Sequence, residues 1–93
     1  MSKPIDFTKV ESLRRHMLLT QADMSVILSV SRMTYYSWVG GKPLRKNNEV
    51  KVKTTIKKLL SVMTKHGWPM PEICAMDQKG RRQRLLELLA DEQ

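Results

Sequence analysis

The sequence predicts an all-α fold, in which a compact domain of four to five helices is followed by a C-terminal amphipathic helix. Apolar residues recur at the 3.6-residue spacing of a helix, and no stretch alternates polar and apolar residues over the length of a strand. A chain of 93 residues can build one small core. Several candidate helices also begin at residues that cap free backbone N–H groups.

A capping box predicts the start of each of the first two helices. Thr8 with Glu11 opens the first helix, and Thr20 with Asp23 opens the second. In such a box the two side chains each accept a hydrogen bond from the other residue's backbone N–H. The apolar positions behind these caps are Val10, Leu13 and Met17 in the first helix and Met24, Ile27 and Leu28 in the second.

Ser31 is a suitable N-cap for a third helix, Arg32 to Val39, which ends at Gly40-Gly41 because glycine tolerates positive φ. A loop over 42–48 precedes a longer helix that extends from about Asn48 to Lys65. Its two faces differ in character: Val52, Ile56, Leu59, Leu60 and Met63 form the apolar face, and Lys51, Lys53, Lys57, Lys58 and Lys65 the basic face.

Gly67 ends the long helix, and a stiff connector follows from Trp68 to Pro71. Pro71 is predicted to open a short helical turn that reaches Met76. Gly80 is expected to interrupt the chain before a last, leucine-rich helix over 81–90. We therefore divide the chain into a domain at 5–66 and a C-terminal connector and helix at 67–93.

The positive charge is concentrated in the middle of the chain. The net charge is +8, and residues 42–66 hold eight basic groups against the single carboxylate of Glu49. Such a segment repels itself in a compact state unless a polyanion neutralises it. Nucleic acid is the favoured polyanion; a solvated basic helix face is the alternative, and a membrane surface is a weaker one.

Several classes of protein are excluded by composition. Cys74 is the single cysteine, so an intramolecular disulfide cannot form, and His16 and His66 are too few to complete a zinc set with it. No apolar run approaches the ~18 residues of a membrane span, and the N-terminus lacks a signal-peptide core. We expect a cytoplasmic protein with an inert, buried Cys74 and two surface histidines.

The second and third helices are predicted to form a helix-turn-helix pair. Two short helices separated by a turn of three to four residues must cross closely, and the small Ser25 and Ser29 permit this. The predicted shared core consists of Met24, Leu28, Val30, Tyr35 and Trp38. The predicted outer face of the third helix carries Arg32, Met33, Tyr36 and Ser37, a face of the kind that enters a DNA major groove.

These residues resemble the Cro/phage-repressor (Xre-type) helix-turn-helix family over roughly residues 5–65. The resemblance rests on the joint spacing of five features: Thr20 to Ser25, Leu28 to Arg32, Tyr35 with Trp38, the Gly41-Lys42 exit, and Leu13-Arg14 in the first helix. It implies a Cro/repressor-like domain. Ser25 and Ser29 stand where the family often has alanine and glycine. Val39 replaces the acidic partner of Arg14, which leaves Arg14 to pair with Glu11 or to reach a phosphate.

The resemblance also implies roles on DNA. Arg32 is the candidate for a bidentate contact to guanine, Met33 for a thymine methyl group, and Tyr36 and Ser37 for base edges. The implied phosphate contacts are Gln21, Ser31, Lys42, Arg45 and Lys46. Alternatives exist from the residues alone: Arg32 as a solvated first-turn side chain, Tyr36 as a cover for the core edge, and Met33 as a filler of an apolar gap.

The C-terminal helix is the predicted means of dimerisation. Its apolar face consists of Leu85, Leu86, Leu88 and Leu89, and Trp68, Met70, Ile73 and Met76 are expected to join the same layer. An isolated ten-residue helix is marginal in water, so this face must pack on something. It either folds back on its own domain or meets a twin, and we favour the twin. A homodimer reads two half-sites about 34 Å apart.

The predicted function is a sequence-specific, double-stranded DNA-binding transcriptional regulator. It is expected to repress from a palindromic operator as a homodimer, in the cytoplasm or nucleoid of a bacterial host carrying a phage or mobile element. The alternatives are an antitoxin-like protein that binds a partner and a non-specific DNA-coating protein. Val26 and Ile27 are the candidate contact for RNA polymerase or a partner protein. No catalytic, cofactor or metal-binding constellation is present in the sequence, so we expect no enzyme.

Overall fold

The computed structural model describes residues 5–92, and the secondary structure over this range is helical without strands. The fold class is therefore all-α, as predicted. Residue 93, which we included in the C-terminal segment, lies outside the described residues. The helices are α1 (Phe7–His16), α2 (Gln21–Ile27), α3 (Arg32–Val39), α4 (Lys46–His66), α5 (Pro71–Cys74) and α6 (Gln78–Ala90).

The helix starts follow the predicted caps with one exception. Thr20 and Asp23 form the predicted capping box of α2, and the Ser31 side chain accepts from the backbone N–H of Thr34 at the start of α3. At α1, however, the N-cap is Asp6, whose Oδ1 accepts from Thr8 N at 2.9 Å. The predicted Thr8–Glu11 box is therefore wrong, and Glu11 is available for a tertiary role.

The C-terminal helix begins earlier than the sequence indicated. Asp77 caps α6 by accepting from Gly80 N at 2.7 Å, which places Gly80 inside the first turn instead of at an interruption. A Cβ added at position 80 lies only 2.9 Å from Asp77 Oδ1, so glycine leaves room for this cap. The helix consequently reaches Gln78, which is close enough to bond the start of α2.

One hydrophobic core joins the two segments into which we divided the sequence. Tyr35 and Trp38 of α3 pack with Phe7 of α1, whose ring centroid lies 6.1 and 5.9 Å from theirs. The same buried cluster contains Ile73 and Leu85 from the C-terminal segment. Residues 67–92 thus complete the core of the N-terminal helices and are not a separate packing unit.

The predicted dimerisation face packs largely against the core of its own subunit. Leu85 and Leu88 are buried in the core, so they cannot also meet a twin. Leu86 and Leu89 are half-buried and pack against the same core. Trp68, expected in the dimer layer, is buried as well, and its Nε1 donates to Met17 O at 2.9 Å. The helix has folded back on its own domain, the alternative that we had not favoured.

The turn between α2 and α3 contains a strained residue. Ser29 has a φ of +58°, the left-handed region in which a Cβ is unfavourable.

We expect Ser29→Gly to raise the free energy of unfolding by about 0.5 kcal/mol, because glycine removes that strain at some cost in unfolded-state entropy. Ser12→Gly, at an exposed position within α1, is the matched control and is expected to destabilise. Chemical denaturation measures both, and a loss of stability for Ser29→Gly contradicts the prediction.

Candidate nucleic-acid interface

The outer face of α3 presents large side chains to solvent. Met33 is 75% exposed and Tyr36 is 43% exposed, and Arg32 is exposed beside them. This exposure follows from the helix period, since Tyr35 and Trp38 on the opposite face are fully or almost fully buried. The four residues predicted to contact bases therefore share one side of α3, although Ser37 is half-buried there.

Hydroxyl groups at this face already have partners within the subunit. Ser37 Oγ donates to Met33 O at 2.9 Å, and Ser31 Oγ caps α3 while donating to Thr34 Oγ1 at 2.9 Å. Gln21 Nε2 likewise donates to Glu11 Oε1 at 2.7 Å. Two of the predicted phosphate contacts, Ser31 and Gln21, thus have structural roles within the subunit; the sequence predicted the capping role of Ser31 but not the bond of Gln21 to Glu11.

A basic segment, residues 42–46, lies next to the outer face of α3. It consists of the loop before α4 and of Lys46, the first residue of α4, so the long helix begins before the predicted Asn48. Lys42, Arg45 and Lys46 are all exposed, and within residues 5–92 none of them forms an ion pair with a carboxylate. Between this segment and α3 lies an open groove with a volume of about 330 Å³, and its lining includes Met33, Ser37, Lys42 and Arg45. The fold therefore brings two predicted base contacts, Met33 and Ser37, and two predicted phosphate contacts, Lys42 and Arg45, to one surface.

A buried carboxylate ties the first three helices together. Glu11 Oε2 accepts from Arg14 Nε at 2.7 Å and from Tyr35 Oη at 2.6 Å. Its Oε1 accepts from Gln21 Nε2 at 2.7 Å and from Arg14 Nη2 at 3.1 Å. Arg14 Nη1 also donates to Leu19 O at 2.8 Å. Arg14 was expected either to pair with Glu11 or to reach a phosphate, and in the structure it pairs with Glu11. The network holds α3 against α1 and α2.

The network sets the charge state of its members. Burial acts to raise the pKa of Glu11, but hydrogen bonds from Arg14, Tyr35 and Gln21 outweigh it and hold the pKa below the ordinary value of 4.5. Burial and the adjacent Glu11 carboxylate raise the pKa of Tyr35. Near neutral pH the Glu11 carboxylate is therefore ionised and the Tyr35 hydroxyl keeps its proton. This role of Glu11 was not predicted from the sequence, although Phe7, Glu11 and Arg14 share a helical face at i, i+4 and i+7.

A second polar cluster attaches α6 to the start of α2. Asp23 is buried, and its Oδ2 accepts from Gln78 Nε2 at 2.6 Å while its Oδ1 accepts from Arg82 Nη1 at 3.3 Å. Gln78 Nε2 also lies 3.0 Å from Leu18 O. Sequence analysis gave Asp23 only a capping role, because nothing local indicates a partner more than fifty residues away.

The predicted partner-contact patch on α2 is smaller than expected. Val26 is 46% exposed, but Ile27 is buried in the core, so that part of the prediction is wrong. Cys74 is exposed instead of buried. Both histidines are exposed, as predicted.

Two further observations concern sites of other kinds. Between residues 5 and 92 there is no cluster of three or more side chains suited to hold a metal ion. No helix in this range combines the length and the hydropathy needed to cross a membrane.

Comparison with known proteins finds no relative: no family model, curated protein or solved structure matches the chain.

Proposed function

We propose that α2, the turn at 28–31 and α3 form a helix-turn-helix unit, and that the protein is a sequence-specific regulator that binds double-stranded DNA. The observation that carries the proposal is the outer face of α3. It exposes Arg32, Met33 and Tyr36 to solvent, and Met33 and Ser37 line one concave surface with the exposed cations Lys42 and Arg45. Met33 and Tyr36 present apolar and aromatic surface that can pack against bases beside Arg32.

The dimensions of α3 suit a major groove. Its eight residues span about 12 Å. A helix with its side chains is about 10–12 Å in diameter, which fits the ~12 Å width of the major groove in B-DNA. In this arrangement Arg32 pairs with the O6 and N7 of a guanine, Met33 packs on a thymine methyl group, and Tyr36 contacts a base edge or the sugar-phosphate wall. Lys42, Arg45 and Lys46 bind phosphates and set the angle of the helix in the groove.

Repression is the simplest regulatory action for such a protein, because occupancy of an operator is sufficient to exclude polymerase. One copy contacts one half-site, which gives limited discrimination. We therefore retain a homodimer on an inverted repeat as part of the proposal. Its contact surface is not the predicted four-leucine face, since Leu85 and Leu88 are buried within the subunit.

The test is selection of the purified protein on a random duplex DNA library at near-physiological salt, followed by sequencing. Enrichment of an inverted repeat supports a specific dimeric regulator, and enrichment of a single short motif supports specific binding by a monomer. Binding without an enriched motif overturns sequence specificity and favours a DNA-coating protein, which is further recognised by a steep loss of affinity with salt. Absence of binding overturns the proposal.

Substitution of Arg32 by alanine is expected to weaken binding to the selected site about 5- to 150-fold, or roughly 1–3 kcal/mol, and to relax preference at one base pair. Arg84→Ala is the matched control, because Arg84 is exposed on α6 and pairs with Glu87. Fluorescence anisotropy with the selected duplex and its single-base variants measures both effects. Equal losses for the two variants, with unchanged base preference, contradict the role of Arg32.

A further inference from the structure

A shallow groove of about 570 Å³ lies between the edge of α3 and the first turn of α6. Tyr36 of α3 and Gln78 and Arg81 of α6 line it, together with Arg14 of α1 and residues 18–22 of the α1–α2 turn and the start of α2. We propose that this groove holds the sugar-phosphate backbone of the DNA that flanks the base pairs read by α3, with Arg81 as its phosphate-binding residue. The inference rests on the proposed DNA-binding function and gives the C-terminal segment a part in it.

The position of the groove follows from its shared residue. Tyr36 belongs to the exposed outer face of α3, so the groove opens at the boundary of the proposed base-reading surface. A duplex that receives α3 in its major groove necessarily places a phosphate backbone at each side of the helix. On one side these phosphates meet the basic segment at residues 42–46. On the other side they meet the groove, whose outer wall is α6.

The charge of this wall is suited to a phosphate. Arg81 Nε donates to Ile73 O and its Nη2 to Cys74 O, each at 2.9 Å, while its Nη1 lies 3.4 Å from Gln78 Oε1. All three acceptors are neutral, and no carboxylate within residues 5–92 forms an ion pair with Arg81. By contrast, Arg14 forms an ion pair with Glu11, and Arg82 forms one with Asp23. Arg81 therefore contributes an uncompensated positive charge and retains N–H donors for an anion.

The wall is also held in place before any ligand arrives. Gln78 and Arg82 bond the buried Asp23 at the start of α2, and Leu85 anchors the next turn of α6 in the core. The hydrogen bonds to the end of α5 restrict the Arg81 guanidinium. A pre-positioned guanidinium loses little conformational entropy when it binds a phosphate, which favours the contact.

The native chain offers a direct test that requires no substitution. Cys74 is the single cysteine, is exposed, and contributes the carbonyl that Arg81 bonds. An iron chelate attached to its thiol generates hydroxyl radicals only near the tether. We expect strand cleavage in the DNA that flanks the selected motif. The control is Cys74→Ser/Asp91→Cys, which moves the tether to the other end of α6, about 20 Å from Gln78 by the helical rise. Cleavage no stronger from Cys74 than from this control overturns the inference.

A second measurement isolates Arg81. Arg81→Gln is expected to weaken DNA binding about fivefold and to reduce the slope of log K against log salt by about one. Sensitivity to ethylation of one flanking phosphate should disappear as well. Arg84→Gln, three residues later and outside the groove lining, should change none of these. Circular dichroism melting confirms folding; if Arg81→Gln unfolds, the Cys74 cleavage pattern decides alone.

The outcomes separate this inference from the proposed function. If the native protein binds no DNA, the proposed function and this inference fall together. If it binds a selected motif and responds to Arg32→Ala, but Arg81→Gln behaves like Arg84→Gln, then only the inference about α6 is wrong.

Discussion

Substitution of Glu11 by alanine is expected to lower the free energy of unfolding by about 3–5 kcal/mol, a large part of the stability of a domain of this size. The carboxylate accepts four hydrogen bonds from Arg14, Tyr35 and Gln21 in the interior of the subunit. Its removal leaves the Tyr35 hydroxyl without its acceptor and the half-buried Arg14 guanidinium with Leu19 O but no carboxylate, and an uncompensated charge away from water is costly. Urea or thermal denaturation followed by circular dichroism measures the loss.

The chain contains a matched control for this effect. Arg84 and Glu87 are also an arginine and a glutamate three residues apart, but both are exposed. Glu87→Ala is expected to change stability by less than about 0.5 kcal/mol, since exposed pairs contribute little. If Glu11→Ala and Glu87→Ala destabilise equally, the Glu11 network does not hold the three helices together.

Leu85→Ala is expected to destabilise the protein by about 3 kcal/mol, because it removes a fully buried side chain and leaves a cavity in the core. The loss should be independent of protein concentration, as expected for a residue within one subunit. Denaturation at several concentrations, with sedimentation of the folded variant, checks both points. A loss of stability that grows on dilution instead supports the dimer interface predicted from sequence.

Leu86→Ala is the control for Leu85→Ala. The two leucines are adjacent on α6 and chemically identical, but Leu86 is only half-buried. We expect its truncation to cost about 1 kcal/mol, in proportion to the smaller apolar area that it removes from water. Comparable losses at 85 and 86 contradict the described orientation of α6.

The buried carboxylates of Glu11 and Asp23 also affect the position of the proposed DNA surface. Glu11 bonds α3 through Tyr35, and α6 bonds α2 through Asp23. The position of α3 therefore depends directly on α1 and, through α2, on the C-terminal segment. In the proposed DNA complex, α3 therefore loses little freedom on binding, provided that the core behind the helix is intact.

Local sequence alone determined most of the helical framework. The Thr20–Asp23 box, the Ser31 cap and Gly67 mark helix ends, because capping depends on residues within one turn of each other. The burial of Tyr35 and Trp38 and the exposure of Arg32 and Met33 likewise follow from the period of a single helix. The concentration of cations at residues 42–46 could be predicted from the distribution of charge along the sequence.

Tertiary structure decided everything that depended on a distant partner. Glu11 had the spacing of a cap, but Asp6 caps α1 and Glu11 bonds Tyr35. Leu85 and Leu88 were suited equally to a twin and to their own core, because an amphipathic face does not specify what covers it. Arg81 was one of several basic residues until folding placed it across a groove from Tyr36. Capping and helical period act over a few residues, whereas these contacts join positions that are far apart in the chain, and only the packed core brings them together.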